Sequence, residues 1–445
     1  MFESLRKELS LFDSTCLVVG IIIGAGIYET APTIAASMSS GLGVLAIWLV
    51  GGLLALSGAL CYAELATTYP RAGGDYVYLN RAYGPWSGFL FAWAQLVIVR
   101  PGDIALLAFI FSRYAQTLYA PVGSITYAAA AVIAFTVINI VSVRTGKWTQ
   151  NVLTVTKIVG MLVMIVVSLL APGPPATTAA QPPVTMGGLE LALILVLFTF
   201  GGWSELGYVA AEVKRPHRNI VRALVSSIAV VTALYVLMNG AFLYALGLSN
   251  MAVSEAVAVD AVATVLPKVA EKAIAILVCI SALGAINGVV FTGARISSAL
   301  GAEHAPLRVL GRWNRHRGTP TWSLIVQGCL SLAIVLLAGS FIDTILYTAP
   351  VVWIFFLATA LSVFVLRRKD RRTPRPYKIA GHPATTIIYS ACCIFMIYSA
   401  VSYALAQKPI GLIASASVVL IGALVYRLIR PCSNARPNVR AAVRK

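Results

Sequence analysis

The feature that most limits the fold of this chain is a repeated run of about twenty apolar residues. As a helix rising 1.5 Å per residue, such a run crosses the roughly 30 Å hydrocarbon core of a bilayer. Twelve runs can be counted, at approximately 13–36, 42–66, 85–113, 124–143, 150–171, 188–212, 220–247, 266–300, 321–338, 342–366, 384–406 and 409–430. No strand-like alternation recurs, so the sequence predicts an all-α, multi-pass membrane protein with twelve helices rather than a barrel.

The composition agrees with burial in lipid. Of the 445 residues, 59% are apolar and 11% are charged, whereas soluble domains carry roughly 25% charge. The first residues, MFESLRKELS, lead directly into a full-length apolar run and contain no small-residue cleavage site. We therefore expect no removable signal peptide.

The net charge of +18 would suit a nucleic-acid partner, but its distribution argues against one. With twelve spans both termini lie on one side, and 28 of the 34 Lys and Arg residues fall on that side. The positive-inside rule then places both termini in the cytoplasm. We expect the protein in the plasma membrane, or the inner membrane of a bacterium, with the basic loops also facing anionic lipid.

Two of the apolar runs are interrupted at their centres. The first run contains GIIIGAGIYE (Gly20–Glu29) and the sixth contains FTFGGWSE (Phe198–Glu205). Each glycine weakens a helix by about 1 kcal/mol relative to alanine, and glycines in single spans often serve close packing. Two interruptions at matching positions instead indicate an inverted-repeat transporter, with a substrate site where the broken helices meet.

The pattern predicts a single transmembrane domain over residues 1–430. Its first repeat covers 11–171, its second covers 188–366, spans eleven and twelve cover 384–430, and a basic cytoplasmic tail covers 431–445. All seven cysteines fall in spans or on the cytoplasmic side, so no external disulfide framework is expected. No span carries His, Cys and carboxylate groups at metal-ligand spacing, so we predict no metal and no cofactor.

Three stretches resemble the amino acid–polyamine–organocation superfamily of transporters. They are VGIIIGAGIYETAP, YAELATTYPRAGGDYVYLNRAYGPWSGFLFAW and FTFGGWSELGYVAAEVKRPHRNI. Within it, the chain is most similar to the L-type amino acid transporters, which are light subunits of heteromeric exchangers, and to their bacterial relatives. Elements such as IVRPGDIALLAF, TQNVLTVTKIVGMLVMIVVSLL, ALGAINGVVFTGARISSALGAEHAP and RPYKIAGHP carry this closer likeness over about residues 10–385. The resemblance implies twelve helices in a five-plus-five inverted repeat.

The resemblance also implies which residues bind the substrate. Four at the first break would present N–H groups to its carboxylate: Gly24, Ala25, Gly26 and Ile27. Three at the second break would offer carbonyls to its ammonium: Phe200, Gly201 and Gly202. Phe198 matches an aromatic lid over the substrate, although a packed phenylalanine is the alternative. Ala25 stands where the family usually has serine, and it keeps the backbone N–H.

Lys157 is the most informative single residue, because a lysine at a span centre is costly unless it is paired or lies in a cavity. By resemblance it replaces the sodium ion of related carriers; snorkelling to the interface is the alternative. Span eight would supply Ser281, Ala285 and Asn287 toward the site and the lysine, with Ala285 again replacing a common serine. Trp353 matches an aromatic that shapes the side-chain pocket, or else is an interface anchor.

Several other charged residues lie within or beside the spans. Arg100 and Asp103 are three residues apart, share a helix face and are expected to pair. Glu205 has no family counterpart; it lines the path, attracts a cationic side chain or carries a proton. Glu64 and Glu212 match gate or capping positions at cytoplasmic helix ends.

Together these observations predict an amino acid transporter and not an enzyme. The expected substrate is a neutral L-amino acid, moved by alternating access in sodium-independent exchange or facilitated uptake. Proton-coupled symport, a cationic amino acid or polyamine antiporter and a non-transporting amino acid sensor remain alternatives. The stretch SRYAQTLYAPVGS lacks a cysteine, so no disulfide-linked heavy-chain partner is expected.

Overall fold

A computed structural model describes residues 7–173, 185–314, 316–337, 349–407 and 409–429. The predicted basic tail, 431–445, lies outside these residues, as do parts of the runs at 321–338 and 342–366. In the described part the first helices are α1 (Leu11–Ile22), α2 (Gly26–Ala36), α3 (Gly41–Thr68), α4 (Asp75–Tyr83), α5 (Pro85–Ala94), α6 (Arg100–Leu118), α7 (Ser124–Val141) and α8 (Val143–Leu169). The later ones are α9 (Met186–Thr199), α10 (Glu205–Tyr208), α11 (Pro216–Val253), α12 (Val257–Ala263), α13 (Ala270–Glu303), α14 (Thr321–Leu337), α15 (Ala349–Lys369), α16 (Ala384–Gln407) and α17 (Pro409–Leu428).

The all-helical, multi-pass character predicted from the sequence is confirmed. Within the described ranges, eight helices are long and apolar enough to cross a membrane, and α1 with α2 makes a ninth if this bent pair is one span. Three further apolar helices are shorter, at Met186–Thr199, Thr321–Leu336 and Ser415–Leu428. The count of twelve spans and the cytoplasmic position of both termini stay predictions.

Side-chain caps fix where several of the long helices begin. The Ser10 side chain accepts a hydrogen bond from the Asp13 N–H at 3.2 Å, and Asp13 accepts one from the Ser10 N–H at 2.8 Å. Ser40 and Ser142 cap α3 and α8 in the same way, at 3.1 and 3.0 Å. These bonds satisfy N–H groups that have no partner inside the helix.

The helix that runs from Pro85 to Leu118 is continuous but not uniform. Gly84, at φ 110°, ends α4 and lets the chain turn into Pro85, which has the fixed φ favoured at a first helical position. Between α5 and α6, residues Gln95–Val99 form a π-helical turn directly before Arg100. Such turns in helices are frequent at functional sites.

Helix α13 forms the centre of the bundle and is the most completely buried of the span candidates. It packs against α6, α8 and α1, while α11 packs on the other side against α1, α2 and α3. The N-terminal segment is tied to the far half of the chain by backbone hydrogen bonds of Leu9 with Glu212 and Lys214, at 3.0 and 2.7 Å. These contacts hold the segment before α1 against the segment that follows α10.

Candidate substrate-binding site

The first break separates α1 from α2, whose axes are bent by 50°. Residues Ile23, Gly24 and Ala25 lie between the two helices, and a Cβ atom placed on Gly24 would have no neighbour within 4 Å. The hydrogen bonds of α2 begin with the Tyr28 N–H, which donates to the Ala25 carbonyl at 3.0 Å. The N–H groups of Gly26 and Ile27 precede that bond and are free of intrahelical partners, so this helix end is suited to bind an anion.

The second break follows Thr199, where α9 ends, and the chain is helical again only in the short α10. Gly202 has φ 112°, and a Cβ atom there would lie 2.8 Å from Cγ2 of Ile21. Only glycine fits a backbone with this φ so close to another helix. The glycine therefore brings the second break against the end of α1, as the paired interruptions in the sequence predict.

Tyr235 of α11 joins the two breaks directly. Its buried hydroxyl lies 3.1 Å from the carbonyl oxygen of Ile22 and 3.4 Å from that of Thr199. The hydroxyl hydrogen can be donated to either carbonyl, so one side chain spans the ends of α1 and α9. This residue was not predicted from the sequence, in which a lone tyrosine hydroxyl within the apolar run TALYVLM was the available signal.

Lys157 of α8 is fully buried, and its ammonium is held by backbone oxygen atoms. The Nζ atom donates to the carbonyls of Gly20 at 2.8 Å, Ile23 at 2.9 Å and Ser281 at 3.0 Å. The three donors of the ammonium thus match three acceptors. Two of these belong to the interrupted α1 and one to α13, which is the kind of oxygen set that also binds a metal cation.

Helix α13 leaves the room that the lysine needs. A Cβ atom on Gly284 would lie 3.0 Å from Nζ of Lys157, and the Ser281 hydroxyl donates to the Ile23 carbonyl at 3.0 Å. Ala285 is buried on the same helix. Asn287 does not contact the lysine: its side chain bonds to Gln150, Gly146 and Asn139 at 2.8, 3.0 and 2.9 Å.

The aromatic residues of the predicted site occupy different environments. The Phe200 ring is buried against Trp48 and Tyr235, with ring centroids 6.2 and 5.2 Å away. Phe198 is 56% exposed, so its role as a lid stays a prediction. Trp353 of α15 is partly buried and meets Phe356 edge-on at 5.5 Å. Gly201 is exposed beside the break.

Arg100 pairs with Glu205 and not, as the sequence suggested, with Asp103. Its two terminal nitrogens donate to the two carboxylate oxygens at 3.0 and 2.8 Å, and its Nε donates to Gln95 at 2.8 Å. The Thr292 hydroxyl of α13 also donates to Glu205, at 2.5 Å. A bidentate pair satisfies both planar groups at once, whereas a neighbour three residues along a helix offers a poorer geometry. The negative charge of Glu205 is therefore compensated by Arg100.

Arg295 of α13 forms a second bidentate pair, with Glu212, that was not predicted from the sequence. Their bonds are 2.8 and 3.0 Å long, and the two side chains are almost completely buried. Glu64 of α3 similarly accepts bonds from Arg367, at 2.8 and 2.5 Å. The acidic partners were recognised as gate or capping residues, but their basic partners lie too far along the chain for spacing to indicate them.

Two interrupted helices that meet around a buried lysine are features of a membrane transporter rather than an enzyme. A family model described as amino acid permease matches residues 9–425. The chain belongs to this amino acid permease family, and it is a multi-pass transporter of the plasma membrane. The predicted superfamily and the prediction that the protein is not an enzyme are confirmed.

Individual relatives cover most of the chain. The b(0,+)-type amino acid transporter 1 of Mus musculus is 34% identical over 387 residues, which is 84% of this chain and 79% of the relative. The Homo sapiens protein of that name is 33% identical with the same coverage. The large neutral amino acids transporter small subunit 2 of Oryctolagus cuniculus is 31% identical over 443 residues, 96% of this chain and 81% of the relative. All three relatives are amino acid transporters by name, which supports amino acid transport by this chain.

Proposed function

We propose that this permease carries neutral L-amino acids by alternating access, as a sodium-independent exchanger or facilitated carrier. The observation that carries the proposal is the Lys157 ammonium on the carbonyls of Gly20, Ile23 and Ser281. A fixed cation on these oxygens leaves no need for sodium to organise the first break. The relative named for large neutral amino acids agrees with the substrate class.

In this mechanism the two breaks recognise the charged groups that all amino acids share. The N–H groups at Ala25, Gly26 and Ile27 bind the carboxylate, helped by the positive end of the α2 dipole. The Gly24 N–H, which was also predicted to do so, instead donates to the Ile22 carbonyl at 2.8 Å. The carbonyls of Phe200, Gly201 and Gly202 accept hydrogen bonds from the ammonium. The side chain of the substrate then faces Phe198, Ala285 and Trp353. These residues are apolar and suit a neutral substrate side chain.

The proposal includes the architecture behind this cycle. Twelve spans in a five-plus-five inverted repeat, with both termini cytoplasmic, allow one bundle to rock against the other around the fixed site. No disulfide-linked heavy chain is required. The charge distribution and the two breaks support this arrangement.

The test uses the purified protein in liposomes preloaded with unlabelled amino acids. Uptake of a labelled amino acid panel is measured with sodium or choline outside, and with or without a pH gradient. We expect uptake of neutral L-amino acids that is equal in both salts, and faster with internal substrate if the protein is an exchanger. Absence of uptake for every amino acid would contradict the proposed transport cycle and favour a sensor. Uptake that depends on sodium would contradict the proposed role of Lys157. Uptake that is stimulated by a proton gradient would favour symport.

A further inference from the structure

A carboxyl group is completely buried at the start of α4, in the connection between α3 and α5. This residue, Asp75, is the first of its helix. Its Oδ1 atom accepts hydrogen bonds from two hydroxyl groups, that of Tyr62 in α3 and that of Thr359 in α15, the latter at 2.6 Å. One carboxyl oxygen therefore joins α4 both to α3 and to α15, far along the chain. Asp75, Tyr62 and Thr359 together form the Asp75 junction.

Asp75 differs from the other buried acidic residues because it has no basic partner. In the part of the chain that the structure describes, Asp13 pairs with Lys147, Glu64 with Arg367, Glu205 with Arg100 and Glu212 with Arg295, whereas no ion pair involves Asp75. Its second oxygen, Oδ2, is buried and has no close hydrogen-bond partner among the described residues. A buried carboxylate without a partner is costly, so such a group instead takes up a proton.

The surroundings of Asp75 supply hydroxyl groups rather than a free cation. The titratable or charged side chains that the neighbouring elements bring near it are Tyr62 of α3, Tyr78 of α4, Glu205 and Tyr208 of α10, Arg100 of α6 and Tyr389 of α16. Arg100 faces the Tyr208 ring at 5.1 Å, and its charge is compensated by Glu205. Helix α5 carries no titratable side chain, and Glu303 of α13 binds other residues of α4. None of these groups offers Asp75 an unused positive charge.

The protonation of Asp75 follows from this environment. Burial raises the pKa of the Asp75 carboxyl above its usual range, and the negative charge of Glu205 acts in the same direction. The hydrogen bonds from the neighbouring hydroxyl groups favour the ionised form and oppose this shift only in part. The carboxyl group therefore holds its proton at a pH at which an exposed aspartic acid, with a pKa of about 3.9, has begun to lose it.

Asp75 also adjoins the second helix break. The N–H of Gly73, two residues before it, donates to the Tyr208 carbonyl of α10 at 3.0 Å. The ring of Tyr62 meets that of Trp203, which lies in the break, edge-on at 5.0 Å. These contacts join α3 and α4 to the chain on both sides of α10, so a movement that opens the site toward α4 has to change them.

We propose that Asp75 is a proton-binding site that controls the opening of the transporter toward the cytoplasm. With the proton bound to Oδ2, the neutral carboxyl group holds α3, α4 and α15 together through Tyr62 and Thr359. When the Asp75 junction opens and the proton passes to cytoplasmic water, the carboxylate becomes hydrated and its charge opposes closure. A low cytoplasmic pH therefore favours the closed form. This inference rests on the proposed transport function and adds control by pH to it.

The experiment measures exchange of labelled L-leucine into liposomes preloaded with unlabelled L-leucine, at the same pH on both sides, from pH 8 to pH 5. The wild-type rate should fall by about tenfold per pH unit below its midpoint, the slope for one proton. Asp75→Asn resembles the protonated acid in shape and charge, so its rate should be low and should not change with pH. Asp260→Asn, which removes an exposed carboxylate in α12, should follow the wild type. A pH profile in Asp75→Asn that is parallel to that of the wild type overturns the proposal.

A second variant keeps the carboxyl group and changes its pKa. Thr359→Val removes a hydrogen bond that favours the ionised form, so the midpoint of the pH profile should shift upward by about one pH unit. Thr359→Ser keeps the hydroxyl group and should keep the wild-type midpoint. If the Asp75 junction served only packing, Thr359→Val would lower the exchange rate equally at every pH. An unchanged midpoint in Thr359→Val therefore contradicts the proposal.

Failure of the transport function itself is distinguished by fluorescence. If the wild type takes up no amino acid, the emission of the detergent-solubilised protein is recorded from pH 8 to pH 5. Subtracting the emission of Trp203→Phe leaves the contribution of Trp203, whose ring contacts Tyr62 of the Asp75 junction. A change of this contribution with pH that Asp75→Asn lacks supports the proton site in a non-transporting protein. A contribution that is constant with pH, or that changes equally in Asp75→Asn, contradicts it.

Discussion

The Tyr235 hydroxyl lies 3.1 Å from the Ile22 carbonyl oxygen and 3.4 Å from that of Thr199. These carbonyls belong to the ends of the two interrupted helices, where backbone acceptors lose their intrahelical partners. One side chain from a third helix therefore holds both breaks at a fixed separation. Because the proposed site binds the two charged groups of one amino acid with the two breaks, this separation sets how well both are bound at once.

Tyr235→Phe should weaken substrate binding without unfolding the protein. The change removes a buried donor and leaves the carbonyl that accepts its hydrogen with one partner fewer, at a cost of about 1–3 kcal/mol. We expect the apparent KM for L-leucine to rise by about tenfold, the effect of 1.4 kcal/mol. Uptake kinetics in liposomes give the KM. Tyr244→Phe is the control, because this tyrosine lies on the same helix and is 49% exposed. An unchanged KM in Tyr235→Phe would contradict the proposed role of the Tyr235 hydroxyl.

Lys157→Met should abolish transport while keeping the volume of the side chain. The carbonyls of Gly20, Ile23 and Ser281 would lose the ammonium as a donor, although the Ile23 carbonyl keeps its bond from the Ser281 hydroxyl. An unsatisfied buried acceptor costs about 1–3 kcal/mol. The first break would then lose its fixed shape, so we expect uptake at least about 100-fold below wild type. The measurement is initial uptake of L-leucine by equal amounts of reconstituted protein.

Two further variants separate the cation from general damage. Gly284→Ala keeps the lysine but brings a methyl group within 3.0 Å of Nζ, so we expect an intermediate loss of uptake. Lys268→Met removes an exposed lysine before α13 and should leave uptake unchanged. Normal uptake by Lys157→Met would show that the ammonium is dispensable.

The sequence predicts the local features of the site because their causes are local. The glycines at positions 24, 26, 201 and 202 weaken a helix locally. Lys157 stands out because a charged residue at the centre of a span is costly unless it is paired or lies in a cavity. The structure brings this lysine to the end of α1, which required knowledge of how α8 packs. Its carbonyl partners follow from the break itself, which leaves backbone acceptors free.

The sequence could not predict partners that lie far apart along the chain. Arg100 was assigned to Asp103, because spacing shows only neighbours on one helix. The structure offers Glu205, 105 residues away, whose two oxygens match the guanidinium. Asn287 was placed with Lys157 by the family resemblance, whereas the packing of α13 turns it toward Gln150. In both cases the partner depends on how helices that are distant in the sequence pack against each other.

Breaking the buried Arg295–Glu212 pair should destabilise the fold strongly. Both side chains are almost fully buried, so Glu212→Gln leaves a guanidinium charge without a counter-ion, at a cost of about 3–5 kcal/mol. Thermal unfolding of the detergent-solubilised protein should show a clearly lower midpoint. Replacing both residues, as Glu212→Gln with Arg295→Met, should recover part of the loss, since the unpaired charge is gone.

The solvent-exposed Arg113–Glu29 pair provides the control for the prediction on Arg295 and Glu212. Its side chains are 65% and 40% exposed, and pairs screened by solvent contribute about 0–1 kcal/mol. Glu29→Gln should therefore leave the unfolding midpoint close to that of wild type. Equal effects of Glu212→Gln and Glu29→Gln would contradict the assignment of stability to burial of the pair.

Asp370, just after α15, should make stability depend on pH in the acid range. Burial alone would raise its pKa, but hydrogen bonds from Arg81 and from the Tyr69 hydroxyl at 2.8 Å outweigh it and hold the pKa below its usual range. A carboxyl group with a lowered pKa in the fold stabilises it above the unfolded pKa, about 3.9 for Asp. That contribution is lost as the pH falls through the folded pKa.

Asp370→Asn should therefore lower the unfolding midpoint at pH 7, and this difference from wild type should shrink as the pH falls below about 4. Unfolding curves of both proteins between pH 7 and pH 3 measure the difference. Asp260→Asn, at an exposed position away from any basic partner in the described ion pairs, should show no comparable trend. A constant difference between Asp370→Asn and wild type at every pH would mean that the side chain acts through packing. A shrinking difference means that the loop after α15 is tied to α4 by charge, because only the ionised carboxylate accepts from both Arg81 and Tyr69.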